Sequence, residues 1–386
     1  MQLKRMLAVL LSLTVFISVA TGCKKSNGGE LKIDSVRVSD ADLSEIEIKV
    51  NETLKESEFC GSAAITLNEQ EIYKNSFGYA DPVKKKKLKN DTHYSIGGLA
   101  KNITGAAVLM LEKRGKLQLD DTLDKFFAVN GKSYLTDITV EQLLEGSVSF
   151  GSYQNEIYGN SKEYRKYKVL FESKNPDKHS DKIRKMVLEH ILEHGSDDKK
   201  GRTNSNYYLL GEIVARASGT SYKDFVQKNI FDKLGMKNSG FVSTKCRFAG
   251  YDMNNKVWKR FIEYSSILNF GFTYSFNGLY SCADDLSVFY MAIVNGTLDD
   301  IDYIKKIKFA SSNNYCGFER DGNNITASGK LLAHCSYVHI NMETNEAVEL
   351  LSNRVGKKDI SNTGDELYTI ISSKINGIII RSIKKS

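Results

Sequence analysis

Apolar positions along this chain of 386 residues repeat with two periods. Leu43, Ile46, Val50 and Leu54 recur at helical spacing, which predicts a first helix over Ala41 to Lys55. Gly61 to Leu67 and Glu71 to Gly78 then read as two strands joined by a turn at Asn68-Glu69-Gln70, a hairpin. Next comes Tyr94-Ser95-Ile96-Gly97-Gly98, followed by Leu99, Ile103, Ala106, Ala107 and Met110 at helical spacing. That pattern predicts a tight turn opening a buried helix which Gly115 stops, with Gly98 at the helix mouth and Lys101 one turn further in. The connection over Leu117 to Leu123 offers Asp120 or Asp121 as an N-cap.

From Thr139 to about Leu234 the period is mostly helical. Short helices are predicted at Val140 to Leu144, Lys182 to His194, Asn206 to Ala217 and Ser221 to Leu234. Gly151 to Asp181 is polar and charged and reads as a long surface excursion. Beyond Tyr264, Gly278-Leu279-Tyr280-Ser281 leads into a helix from Ala283 to about Asn295. Strands follow at Asn324 to Ser328, Leu331 to Asn341 and Ala347 to Ser352, and a final helix at Gly364 to Arg381. Strands at both ends with helices between them predict an α+β fold, its sheet built from both ends of the chain around a helical insert. The α/β portion is expected over about 41–130 and 276–386, and the helical portion over about 131–275.

Charge changes this picture little. The formal net charge is +7, but much of it sits in Lys84 to Lys87 and in Lys384-Lys385, with no aromatic-interleaved basic face. Nucleic acid is therefore excluded as an expected partner. The N-terminus changes the picture more. Lys4 and Arg5 precede an apolar run from Met6 to Val19, and Ala20-Thr21-Gly22-Cys23 follows. This resembles a bacterial lipoprotein signal, with Ala20 where a larger aliphatic residue is more usual. The resemblance implies cleavage before Cys23, lipidation of its thiol, a tether to about residue 40, and anchoring at the cell envelope outside the cytoplasm. The alternative is an ordinary secretory signal beside a chance cysteine. The five later cysteines (Cys60, Cys246, Cys282, Cys316 and Cys335) lack CxxC or Cys/His ligand spacing. They argue against a zinc site and allow at most a single bridge of unassigned pairing, and no cofactor or metal is expected.

Several segments carry a family pattern: Phe77 to Asp81, Ile96 to Phe127, Asn204 to Gly211, Leu234 to Phe241, and Gly278 to Leu286. In this order and spacing they resemble the serine β-lactamase-related family, which includes class C β-lactamases, penicillin-binding DD-peptidases and related esterases. The resemblance runs from about Gly61 to about Arg354. It implies an antiparallel sheet flanked by helices, a helical domain, and a cleft between them.

That family's acyl transfer rests on three constellations, each eroded here. Ser-x-x-Lys becomes Gly98-Leu99-Ala100-Lys101, so the base is kept and the nucleophile is lost. Tyr-x-Asn aligns on Arg202-Thr203-Asn204, where a proton relay is replaced by a guanidinium that cannot deprotonate. Lys- or His-x-Gly on a cleft strand aligns on His334-Cys335-Ser336, and a further His-Thr-Ser-Gly loop appears as Gly146-Ser147-Val148-Ser149. Apart from the family pattern, Lys101 reads as a solvated helix lysine, His334 as a core histidine and Asn204 as a helix N-cap. Substitute nucleophiles are weak: Ser95 lies in the turn, Cys335 alternates away from His334 on a strand, Ser336 has no lysine one turn away, and Ser196 to Lys199 has no helix behind it.

The expected function is therefore a lipid-anchored pseudoenzyme of this serine hydrolase family. It would bind a small anionic or cell-wall-type peptide ligand at Gly98, Lys101, Arg202, Asn204, His334 and Ser336. A helix N-terminal N–H, the lysine and the guanidinium all favour a carboxylate. The alternatives are a divergent hydrolase using a substitute residue and a purely structural role.

Overall fold

The computed structural model describes residues 31–33, 36–68, 70–81, 84–128, 133–173, 175–196, 203–243, 246, 249–252, 257–260, 269–331, 333–354 and 359–383. The N-terminal segment with Cys23, expected as a lipoprotein signal, and Arg202 lie outside the described residues.

Helix α1 (Asp40–Glu56) begins at Ser39, whose hydroxyl accepts from the Asp42 N–H while the Asp42 carboxylate takes the Ser39 N–H. This reciprocal cap is why the helix starts where the apolar repeat does. The hairpin follows as β1 (Gly61–Leu67) and β2 (Gln70–Phe77). Tyr94–Ser95 is a short strand, β3, and α2 (Ala100–Lys113) is the helix it leads to.

The helical portion contains α3 (Val140–Glu145), α4 (Tyr153–Gly159), α5 (Ser161–Phe171), α6 (Ser180–His194) and α7 (Asn204–Ser218). Helix α8 (Tyr222–Val226) continues through a π turn at Gln227–Phe231 into Asp232–Leu234. The strand β4 (Gly240–Phe241), helix α9 (Phe270–Asn277), strand β5 (Leu279–Ser281) and helices α10 (Ala283–Val294) and α11 (Tyr303–Phe309) come next. The last elements are β6 (Asn314–Tyr315), β7 (Phe318–Asp321), β8 (Asn324–Leu331), β9 (His334–Asn341), β10 (Glu346–Ser352) and α12 (Ile360–Ile383).

The main sheet is antiparallel with the order β6-β7-β8-β9-β10-β1-β2, so the first hairpin pairs with the last strand. A smaller sheet, β3-β5-β4, sets the entry to α2. Alternation along the central strands feeds two cores. Ala63, Ile65, Leu67, Val348 and Leu350 meet Ile46 and Val50 of α1 and Leu367, Ile371 and Ile375 of α12. Ala347, Leu351, Val338 and Ile340 face the larger core shared with α2, α7 and α10. Among the described residues, no helix is long and apolar enough to cross a membrane, and Cys60, Cys246, Cys282, Cys316 and Cys335 are free thiols.

Gly151 to Asp181, expected as a surface excursion, instead contains α4, α5 and a short 3-10 turn at Pro176–His179. Aromatic burial drives this. Tyr153, Tyr158, Tyr167 and Phe171 close on Phe272 of α9, with ring centroids 5.3 to 6.2 Å away. Contacts of this kind outweigh the polar composition of the segment. Asp120 and Asp121 are not N-caps. The 3-10 turn Leu123–Lys125 starts after Thr122, and the Asp121 carboxylate accepts from the Gln118 N–H at 2.7 Å.

Candidate functional site

Strand β3 runs into Ile96 and a 3-10 turn, Gly97–Leu99, on which α2 is stacked. Gly97 has φ +50°, a conformation other residues adopt at a cost. The strand is held from behind by β9. The Ser95 N–H donates to His334 Nδ1 at 3.1 Å, and the Ser336 hydroxyl donates to the Ile96 carbonyl at 2.7 Å. His334 Nε2 lies 3.1 Å from the Ala249 carbonyl. An accepting Nδ1 fixes the neutral tautomer with its proton on Nε2. Burial pushes the His334 imidazole down to about 4, and the residue is 1% exposed.

The strand that faces Gly98 is β8, and the approach is close. A Cβ at Gly98 would stand 2.6 Å from the Ser328 carbonyl oxygen, and one at Gly97 would stand 2.7 Å from the Lys330 nitrogen. In return, a Cβ at Gly329 would stand 2.2 Å from the Ile96 oxygen and 2.5 Å from the Gly98 nitrogen. Three glycines thus let two main chains interlock where a nucleophile's side chain would need room.

The strand beside the turn is therefore not the one that carries His334-Cys335-Ser336. Ser328 and Gly329 of β8 lie against Gly98. Gly329 makes the close approach, and Ala327 on the same strand is buried. His334 and Ser336 sit one strand further back, Gly329 opposite Ser336 and Leu331 opposite His334. Their polar atoms bond the main chain that enters the turn.

Lys101 is the second residue of α2, with its ammonium 5.4 Å from the centroid of the Tyr207 ring on α7. Its Cβ lies under the Cys316–Gly317 turn that joins β6 to β7, where a Cβ at Gly317 would come within 2.8 Å. Asn102 fastens the same turn by donating to the Cys316 carbonyl at 3.0 Å, and Tyr290 donates to Asn102 at 3.0 Å.

Asn204, read as an N-cap, is the first helical residue of α7. The cap is Thr203, whose hydroxyl accepts from the Asn206 N–H at 3.1 Å. Asn204 donates to the Gln154 side chain at 2.6 Å. The loop Gly146 to Ser149 is tied down two residues along α7. Asn206 donates to the Val148 carbonyl at 2.7 Å and accepts from the Phe150 N–H at 3.1 Å. The fold thus gathers Gly98, Lys101 and, through Tyr207 one turn on, the start of α7 with Asn204. Sequence reasoning missed Gln154 and Asn206. Asn206 was visible as a second polar residue at a helix start, whereas Gln154 required tertiary pairing.

Of the substitute nucleophiles, Ser196 to Lys199 lies outside the described residues beyond Ser196, and Ser95 and Cys335 are buried. Ser95 is 1% exposed, and burial pushes the Cys335 thiol up, away from thiolate. A cavity of ≈ 660 Å³ lies elsewhere, among Arg184, Tyr222, Lys223, Phe270 and Tyr274. Lys223 stands 4.0 Å over the Phe270 ring there, and burial lowers its pKa. Tyr222 reaches α2 through a 2.7 Å hydrogen bond with Thr104.

The Beta-lactamase family profile matches residues 51–367. PbpX of Bacillus subtilis (strain 168) is 30% identical over 278 residues, 69% of this chain and 63% of its own length. Penicillin-binding protein 4* of the same organism is 28% identical over 191 residues, 49% of this chain and 39% of its own. The chain therefore spans less than two thirds of these curated relatives. Among solved structures, FmtA from Staphylococcus aureus superposes with a TM-score of 0.68 at 20% identity, covering 90% of this chain and 93% of that one. At that identity the likeness shows the fold, a β-lactamase/transpeptidase-like α+β arrangement.

Proposed function

Because the chain belongs to the beta-lactamase family, we propose that it keeps the family fold without acyl transfer at Gly98 and acts at the cell envelope by binding. One observation carries this reading: the Ser328 carbonyl lies 2.6 Å from where a side chain at Gly98 would begin. Covalent acyl transfer needs a nucleophile beside its base. Position 98 supplies no hydroxyl, and the strand leaves no room for one without movement. The residue types kept nearby, Lys101 and Asn204, suit a carboxylate, and Arg202 would add a guanidinium. A peptide C-terminal carboxylate is the ligand class this favours. Envelope anchoring rests on the Cys23 segment alone.

The test is chemical. The purified protein is treated with a fluorescent penicillin and with a fluorophosphonate, beside an active penicillin-binding protein, and intact mass is recorded. No adduct is expected on this chain, and a stoichiometric adduct on any residue overturns the proposal. Calorimetry with an acyl-D-alanyl-D-alanine peptide should give binding that Lys101→Ala weakens. In cells, the wild-type chain should partition with membranes and Cys23→Ala should not.

A further inference from the structure

We propose that Glu156, His190 and His194 form a binding site for a borderline divalent metal ion, with zinc as its representative. The site is independent of any chemistry at Gly98. His190 and His194 are one turn apart at the end of α6, so the helix puts both imidazoles on one face. Their ring centroids are 4.0 Å apart. Helix α4 brings Glu156 against them, and its carboxylate accepts from His190 Nε2 at 2.8 Å. One donor atom from each of the three residues lies within 4.8 Å of the others.

The protonation pattern fits a ligand set. His194 Nδ1 lies 2.8 Å from the His190 carbonyl, so Nδ1 carries its proton and Nε2 presents a lone pair. A backbone acceptor behind the ring is how metal-bound histidines are commonly oriented. In the metal-free arrangement the His190 Nε2 proton bridges to Glu156. An ion takes the place of that proton, which is released to solvent. Two donors on one tetrahedral zinc are roughly 3.4 Å apart at Zn–N and Zn–O bonds of about 2.0–2.2 Å. The Glu156–His190 pair therefore opens from 2.8 Å by about 0.6 Å. Two imidazoles and one carboxylate leave a fourth position for water. The nitrogen donors select zinc, cobalt or nickel over magnesium and calcium. His190 is buried while Glu156 and His194 stand at the rim, which leaves the ion a way in.

An ion here would join α4 to α6. Helix α4 also carries Gln154, which holds Asn204 at the start of α7. The metal would thus brace α4 close to its contact with the candidate site, as a structural staple and not as a catalytic centre.

The experiment uses the purified chain after chelator treatment. Calorimetric titration with zinc should give one ion per chain at micromolar affinity or tighter, and zinc should raise the melting temperature. Cobalt should give a d–d spectrum without thiolate charge transfer, which removes the free cysteines as ligands. Replacing His190 risks the buried core, so the rim ligands carry the test. His194→Gln and Glu156→Gln should each weaken zinc binding at least tenfold while their metal-free melting curves match wild type. No stoichiometric binding at micromolar zinc, an affinity unchanged in both variants, or equal binding of magnesium or calcium would each overturn the proposal.

Discussion

Glu349 of β10 shows what one buried acid does to this fold. Its side chain enters the larger core, where the Ser287 hydroxyl of α10 donates to it at 2.6 Å. Burial pushes its carboxyl up from 4.5 to about 8. A carboxyl whose folded pKa exceeds its unfolded value binds its proton more tightly in the native state. Stability from this residue is present in acid and is lost as pH rises from 4.5 towards 8. His334 works the other way: a base depressed from 6.5 to about 4 costs stability as pH falls through that window. Glu349→Gln should therefore be more stable than wild type at neutral pH. In urea titrations the gap should widen as pH rises from 5 to 8, and a pH-independent gap would reject the assignment. His334→Ala should leave the Ser95 N–H without its acceptor and cost about 1–3 kcal/mol. Gly98→Ser places a Cβ against the Ser328 carbonyl, so it should destabilise by about 1–3 kcal/mol as overpacking does. It should also gain no penicillin adduct in the intact-mass assay. Gly98-Leu99-Ala100-Lys101 was legible in the sequence as a Ser-x-x-Lys pattern with glycine in the serine's place, a reading that rests on the family resemblance. The strand that fills the space was not, because the identity of the turn's neighbour depends on the pairing of Gly329 with Ser336. A histidine two positions from a serine resembled a cleft motif, while its alternative reading as a core histidine was the one the fold adopted.

At the scale of elements, strong periodicity was enough. Helices α1, α6, α7 and α10 lie within about two residues of the ranges their apolar repeats predict. Helices α4 and α5 were hidden because their buried faces are aromatic and their other faces are dense in lysine, glutamate and asparagine. That omission also concealed the metal-ligating triplet. The His190 and His194 spacing was visible on a predicted helix, but Glu156 becomes a third ligand only once α4 exists to aim it. The aromatic cluster makes a direct prediction. Phe272 sits among Tyr153, Tyr158, Tyr167 and Phe171, and Phe272→Ala should cost about 3–5 kcal/mol. Hydrogen exchange should then report faster opening of α4 and α5 than of the main sheet. Uniform acceleration across the protein would show that these helices do not depend on that ring.

For the whole molecule, the order of family segments was readable from sequence, and so was a sheet drawing on both ends of the chain. Sequence did not give the strand order that makes β1 the partner of β10. That order has a consequence for how the chain can be cut. One face of the sheet is covered by α1 and α12, and Leu367, Ile371 and Ile375 of α12 complete the core over Ile65, Val348 and Leu350. The same helix carries Asp365, which accepts from His339 Nδ1 at 3.0 Å, and Tyr368, whose ring stacks on His339 at 3.8 Å. Removing residues from 360 onward would expose β9, β10 and β1 as an apolar sheet face, a surface that drives association between chains. Such a truncation should yield insoluble or aggregated protein, although it leaves Gly98, Lys101 and Asn204 untouched. Leu367→Ala should be the milder version, losing about 2–5 kcal/mol with solubility retained. Both are read by sedimentation and thermal melting. A truncated chain that stayed monomeric with an unchanged melting temperature would show that α12 is dispensable, and that the sheet is held by its larger core alone.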